Sequence, residues 1–300
     1  MESNEKYDVI VIGGSYAGLS AAMALGRAIR NVLVIDGGKP CNIQTPHSHN
    51  FLTQDGNTPA SITALGKSQV LAYPTIQFVE DHVTDVKGED NSFEVTTASG
   101  KKLLAKKLLF ATGVRDLMPN IDGLADCWGI SVIHCPYCHG YEYRGEKTGI
   151  LANGDIAFEF ARLISNWTDR LTIFTNGKSS ITDEQKAQLV NRNIEIVERE
   201  MQKVEHTNGY LNHVVFTDGT TAKLTALYAK LPFEQHCKIP ESLGCSLTEM
   251  GHIKVDGFQL TSVPGIYAAG DNTIMMRSIA SSVASGAMAG AMINRELISW

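Results

Sequence analysis

Tyr7-Asp8-Val9-Ile10-Val11-Ile12-Gly13-Gly14-Ser15-Tyr16-Ala17-Gly18 is the stretch that decides the fold. Tyr7 to Ile12 is a nearly continuous β-branched run, the pattern of a strand buried on both faces in a parallel sheet. Gly13 to Gly18 reads as a turn. Leu19 to Ile29 is rich in Ala, Leu and Met at helical spacing, and Asn31 to Asp36 is the next strand. Together they predict a βαβ unit at the start of a doubly wound sheet. The turn, Gly13-x-Ser15-x-x-Gly18, is one substitution from the G-x-G-x-x-G pattern whose middle glycine lets the backbone approach a pyrophosphate. Ser15 adds a Cβ there, and a hydroxyl able to bond a phosphate at the helix N-terminus. Asp36 ends the second strand, where an acid takes a ribose hydroxyl pair. A glycine turn alone is weak evidence and also fits an ordinary tight turn. Strand, turn, helix and terminal acid together point to a dinucleotide.

The pattern recurs. Thr148 to Leu151 reads as a strand, Ala152-Asn153-Gly154-Asp155 as a turn, Ile156 to Ser165 as a helix and Arg170 to Thr175 as a strand. Between the two units, Thr58 to Leu71 has helical character. Ile76–Val79, Val83–Lys87 and Phe93–Thr97 alternate, with a turn at 88–91, and predict a small antiparallel meander. Lys107 to Gly113 is a buried strand ending in a glycine turn. Gly251 to Ile266 alternates again, and Ile279 to Leu297 is a helix of small residues.

The chain of 300 residues, 43% hydrophobic and 19% charged, is long enough for about two domains. A net charge of −6 without a basic block argues against nucleic acid or an anionic membrane as partner. No apolar run approaches the ~18 residues of a membrane span. Met1 to Lys6 is polar and lacks the order of a signal peptide, so the expected compartment is the cytoplasm.

Six cysteines in a chain this long do not form a disulfide framework. The sharpest signal is His134-Cys135-Pro136-Tyr137-Cys138-His139-Gly140. Two intervening residues permit a reversible disulfide, and a nearby cation or helix N-terminus lowers one thiol pKa toward thiolate. His139 adjoins the pair and is suited to move a proton. Three duller readings compete. C-x-x-C-H also attaches c-type haem, which needs export. A zinc site would recruit Cys237 or Cys245, but no second C-x-x-C exists and no metal is expected. Plain buried cysteines are the third. Cys41, Cys127, Cys237 and Cys245 read as small buried apolar residues, Met275-Met276 as packing, and Trp128 as either a cleft cover or core.

The order of these features resembles the low-molecular-weight thioredoxin reductases: dinucleotide turn, Ala111-Thr112-Gly113, Cys-x-x-Cys, second βαβ turn, then Ala269-Gly270-Asp271. The resemblance covers nearly the whole chain. It implies an α/β fold of two Rossmann-like dinucleotide-binding domains, the second inserted into the first. The FAD-binding domain would comprise 1–115 plus 246–300, and 116–245 would carry the redox disulfide. It implies FAD, with Gly13, Ser15, Gly18 and Asp36 on its adenosine diphosphate half and Gly113 at the glycine turn beside the cofactor. Gly270 and Asp271 match the motif that bonds the ribityl chain, and Arg277-Ser278-Ile279 the segment beside the isoalloxazine. It implies that Cys138 faces the flavin while Cys135 meets the substrate. An acid normally follows the pair; here it is His139. A homodimer and a thioredoxin-like protein or small dithiol or disulfide as partner also follow.

The departures matter. The second turn is Ala152-x-Gly154-x-x-Ala157, and its second strand ends Phe174-Thr175-Asn176-Gly177, with neither the arginines that pair with the 2′-phosphate of NADPH nor an acid for NAD. NADPH use is therefore open. His47-x-His49-Asn50, Gly113-Val114-Arg115-Asp116, Cys127-Trp128 and His134 through Glu142 look like bacterial thioredoxin reductase-like proteins and are similar to the fungal dithiol oxidases that close disulfides in gliotoxin-type compounds. On that comparison His47, His49 and Asn50 line the substrate side; otherwise the histidines cap a surface loop. Three functions remain: a reductase fed by an external donor, an oxygen-dependent dithiol oxidase without nicotinamide, and a non-catalytic flavin redox sensor.

Overall fold

The computed structural model describes residues 5–298. Two compact units divide the chain. The first runs to Ile43, then takes Pro59–Arg115 and everything from Phe233; the second comprises Gln44–Thr58 and Asp116–Pro232.

The first unit is built on a seven-stranded sheet in the order Ile76–Glu80, Val32–Asp36, Glu5–Ile12, Lys102–Phe110, Ser92–Thr97, Val83–Glu89. Ile266–Ala268 pairs with the end of Lys102–Phe110, Ile266 opposite Leu108. Val9 sits opposite Val32 on one side and Lys107 on the other, both parallel. Side chains alternate between two cores. Val9, Val11, Val34 and Leu109 face the helices Tyr16–Arg27 and Ile279–Glu296. Ile10, Ile12, Leu33 and Ile35 face the opposite core with Phe93 and Phe110. Burial on both faces is why the strand reads as an unbroken apolar run, each fully buried aliphatic side chain contributing about 1.5–3 kcal/mol.

The expected meander is corrected at its first strand. Ile76–Glu80 pairs parallel to Val32–Asp36, and only Val83–Glu89, Ser92–Thr97 and Lys102–Phe110 run antiparallel. A short alternating run reads alike in either role. The helix Pro59–Leu71 before it supplies the crossover that a parallel neighbour requires.

The second unit has a five-stranded parallel sheet in the order Glu195–Val197, Leu171–Phe174, Thr148–Leu151, Ala226–Ala229, Val132–Ile133. On one face Ile150, Ile173 and Tyr228 pack with Ala157, Ala161 and Ile164 of helix Gly154–Ile164. On the other, Val132, Phe174 and Leu227 meet Val204, Val214 and Phe216 of an antiparallel sheet, Met201–Thr207, Tyr210–Phe216 and Thr221–Lys223. Helix Asp183–Val190 starts in a capping box, Thr182 with Gln185.

Packing places two segments differently from the boundaries expected from sequence. Residues 233–245 lie with the first unit, where Cys237, Ile239 and Leu243 pack on the core that holds Cys245 and Glu234 pairs with Arg115. Residues 44–58 lie with the second, where Gln44 donates from Nε2 to the Trp128 carbonyl. Among the described residues no helix is long and apolar enough to cross a membrane.

Candidate active site

Cys135 and Cys138 form a disulfide, their Cα atoms 5.3 Å apart. Strand Val132–Ile133 delivers the chain to it. Cys135 is the N-cap of a single helical turn, Pro136–His139. Pro136 suits the first helical position, because its φ is already helical and its missing N–H would have had no partner. The Cys138 and His139 N–H groups both donate to the Cys135 carbonyl at 3.2 Å, which fixes the spacing of the two sulfurs. Both cysteines are half-buried. Tyr137 between them points outward, edge-on to Trp167 with ring centroids 5.6 Å apart. Trp128 is buried and stacks on His134 at 5.7 Å.

The helical turn, the segment after it and the 44–58 loop supply the titratable groups. His139 is half-buried; burial, and then the charge of His49, push its imidazole down to about 4. His49 faces carboxylates with both ring nitrogens, Asp55 from Nδ1 at 3.7 Å and Glu142 from Nε2 at 3.5 Å. The 44–58 loop is built to present it. The Ser48 N–H donates to the Asn57 carbonyl, the Gly56 N–H to the Ser48 carbonyl, and the Asn50 N–H to Asp55 Oδ1 at 2.7 Å. Asn50 sits at φ 59°, a left-handed conformation that asparagine tolerates. His47 Nδ1 bonds the Gly56 carbonyl at 2.9 Å, and its ring lies 6.5 Å from that of His49. The three loop residues singled out by sequence thus share a unit with the disulfide. Asp55 and Glu142, which hold His49, had no assignment; their only signal was a charge inside a conspicuous motif or loop.

The first unit carries the N-terminal turn. Gly13 has φ 105°, and a Cβ there would stand 2.3 Å from the Ala111 carbonyl oxygen; a Cβ on Gly18 would stand 1.9 Å from that of Gly13. The Gly14 N–H donates to Asp36 Oδ1 at 2.9 Å. Ser15 is the N-cap of helix Tyr16–Arg27, and its half-buried hydroxyl makes no bond to the helix. Gly113 has φ 63° with open space where a Cβ would project. The Gly270 N–H donates to Ser285 Oγ at 3.1 Å, and Asp271 accepts from Ser282 at 3.3 Å with Arg277 at 3.8 Å. Ser278 caps helix Ile279–Glu296 by accepting the Ser281 N–H. An amide cradle closed to any Cβ, a carboxylate at the strand end and a half-buried Asp271 fit a flavin adenine dinucleotide.

The corresponding turn of the second unit lacks the charged groups that pair with a nicotinamide dinucleotide's ribose or 2′-phosphate. Asn153 Oδ1 accepts the N–H groups of Gly154 and Ser180, both at 2.8 Å, and its Nδ2 donates to the Lys178 carbonyl at 2.9 Å. Asn153 thus caps helix Gly154–Ile164 and takes one amide of the turn. At the strand end, Asn176 Oδ1 accepts the Met201 N–H at 2.7 Å, and residues 174–177 supply neither guanidinium nor carboxylate.

The remaining cysteines and methionines are partly corrected. Cys127 and Cys245 are buried as expected, Cys237 is partly so, and Cys41 is exposed. Met275 and Met276 project from the turn before the last helix and are 54% and 70% exposed, so they do not pack. Among the described residues no group of three or more His, Cys, Asp or Glu is placed to hold a metal ion.

A family model for pyridine nucleotide-disulphide oxidoreductases matches residues 7–289. Thioredoxin reductase tcpT of Claviceps purpurea (strain 20.1) is 33% identical over 309 residues, covering 99% of this chain and 96% of that one. Thioredoxin reductase sirT of Leptosphaeria maculans is 31% identical, covering 96% and 93%. The crystal structure of an oxidoreductase from Agrobacterium tumefaciens superimposes with a TM-score of 0.91 at 40% identity, covering 97% and 98%.

Proposed function

The chain belongs to the pyridine nucleotide-disulphide oxidoreductase family and is a thioredoxin reductase-like disulfide oxidoreductase; within that class we propose that it takes its electrons from a dithiol and not from a nicotinamide. The observation that carries this reading is the strand end at 174–177, which supplies neither guanidinium nor carboxylate and whose Asn176 side chain accepts the Met201 N–H.

The family implies a flavin, and we assign it as FAD held by Gly13, Ser15, Gly18, Asp36, Gly113, Gly270, Asp271, Ser278 and Ile279. Bound FAD supplies a two-electron relay to molecular oxygen. The remaining chemistry belongs to the chain. A substrate thiolate attacks Cys135 Sγ; a substrate–Cys135 bond forms, the Cys135–Cys138 bond breaks, and Cys138 leaves as thiolate. The second substrate sulfur then attacks the mixed disulfide and releases Cys135. The substrate leaves oxidised to a disulfide, having given up two electrons and two protons, and oxygen takes both as hydrogen peroxide. With the disulfide closed, burial keeps His139 uncharged. A thiolate opening beside it favours the imidazolium, because an opposite charge stabilises the protonated ring. His139 thus takes up a proton when the pair opens and returns it when the pair closes.

The same reading places a homodimer in the cytoplasm and gives it a small dithiol or a thioredoxin-like protein as substrate. Anaerobic addition of NADPH, NADH and a small dithiol in turn to the purified yellow protein is the test. Bleaching by the dithiol, with NADPH slower by at least tenfold, is expected. Bleaching by NADPH as fast as by dithiol, or by neither, overturns it.

A further inference from the structure

Two carboxamides of the first unit are buried, and both serve one turn. Gln235 is 4% exposed and Asn272 0%, beside the fully buried Phe110 and Ile253. Gln235 Nε2 donates to the carbonyls of Gly251, at 2.9 Å, and Asn272, at 3.0 Å. The Asn272 carbonyl also accepts the Ile253 N–H at 2.8 Å. Asn272 Nδ2 donates to the Phe110 carbonyl at 2.8 Å, and the same oxygen accepts the Ala269 N–H at 3.1 Å. Both neighbours of Asp271 are thus tied to other segments, Gly270 through Ser285 and Asn272 through Phe110, Ile253 and Gln235.

Burying a carboxamide is costly unless its hydrogen bonds are made, and an apolar side chain of similar size would fill the space at less cost. What the carboxamides add is direction. A hydrogen bond weakens steeply as its angle closes, so the two together select one arrangement of the turn. Resting on the reading of FAD at Gly270 and Asp271, we propose that Gln235 is a positioning residue: through the Asn272 carbonyl it fixes the turn that presents Asp271 to the ribityl hydroxyls of the flavin. A turn freed of these bonds samples other arrangements, and cofactor affinity falls with the fraction of time spent in the competent one. The adenosine diphosphate half is assigned to Gly13, Ser15, Gly18 and Asp36, so its binding does not draw on the Asp271 turn.

The experiment compares wild type, Gln235→Met, Asn272→Leu and Asp271→Ala as full-length flavoproteins. The two core substitutions keep the side-chain size and remove the donor. The readouts are the dissociation constant of FAD, that of ADP as its competitor, and the visible circular dichroism of the bound flavin. In Gln235→Met, FAD should bind roughly tenfold more weakly while ADP stays within about twofold of wild type, and the flavin dichroism should change. FAD affinity and dichroism unchanged in Gln235→Met overturn the proposal. So does an equal loss of FAD and ADP affinity, which marks damage to the whole unit and not to the Asp271 turn. Should Gln235→Met not fold, Asn272→Leu decides by the same two criteria. If Asp271→Ala itself leaves FAD affinity unchanged, the ribityl assignment of Asp271 fails and the proposal with it. A loss in Asp271→Ala with Gln235→Met like wild type sinks the positioning role alone.

Discussion

The Asp36 carboxylate accepts the Gly14 N–H at 2.9 Å, joining the end of one strand to the turn that follows another. One oxygen therefore shapes the turn, and the proposed role of the carboxylate is to hold a ribose. Asp36→Ala should weaken FAD binding roughly 10–100-fold, the loss of a charge-assisted hydrogen bond. Asp36→Asn keeps an acceptor for Gly14 and should lose less. Titration of the flavin-stripped protein with FAD, followed by flavin fluorescence, measures both; equal affinity in Asp36→Ala would remove the ribose role.

The two cysteines should fail differently. In Cys138→Ser, dithiol no longer bleaches the flavin, while the Cys135 thiolate still attacks a substrate disulfide, forming a stable mixed disulfide and releasing the substrate's other sulfur as a thiol. In Cys135→Ser both exchange and bleaching are lost. Stopped-flow absorbance and mass spectrometry of trapped adducts separate them. A Cys138→Ser protein with wild-type turnover would refute the assignment.

Lys107 is 4% exposed in the first unit, its ammonium bonded to Asp90 at 2.6 Å and Glu296 at 2.9 Å. Burial works against the charge, yet the two carboxylates hold the proton above its ordinary range. Lys107→Met leaves both carboxylates facing each other and should cost about 2–4 kcal/mol in chemical denaturation. Asp90→Asn should cost less, because Asp90 is partly in solvent. Unchanged stability in Lys107→Met would show that the buried ion pair contributes nothing.

Local patterns carried the fold. The run Val9 to Ile12 specifies the strand and Gly13 its turn, and both are found there; the helix starts at Tyr16, earlier than the spacing predicts, so Gly18 lies in its first turn, where it passes the Gly13 carbonyl. The Cys-Pro-Tyr-Cys run likewise closes into a disulfide on one helical turn. What sequence did not reveal depends on long-range packing. The sequence leaves His47 and His49 as either substrate-side residues or caps of a surface loop, and only long-range packing brings Gln44 to Trp128 and His49 to Glu142. Ile76–Glu80 alternates as a hairpin strand would, and only its neighbour across the sheet makes it parallel. Asn153 also meets Ser180, 27 residues away, which no spacing rule brings near.

His139 makes acid stability a direct check on the site. Its imidazole is pushed from an ordinary value of 6.5 down to about 4, first by burial and then by His49. The unfolded chain therefore takes up this proton at a higher pH than the folded one does. Above about pH 6.5 neither state binds it and stability is unaffected. As pH falls from there toward 4 the unfolded state is protonated and the folded state is not, so stability drops through that window and levels off below it. The full drop is of the order of 3 kcal/mol, at about 1.36 kcal/mol for each tenfold difference in proton affinity between the two states. His252, also pushed down by burial and then by Arg277, adds to the same trend. His139→Gln removes the larger contribution, so its urea midpoint should be flatter than the wild type's between pH 6.5 and 4 and meet it at pH 7 and above. If the two curves run parallel across that window, His139 is not held uncharged in the folded protein, and its uptake of a proton on opening of the disulfide loses its basis.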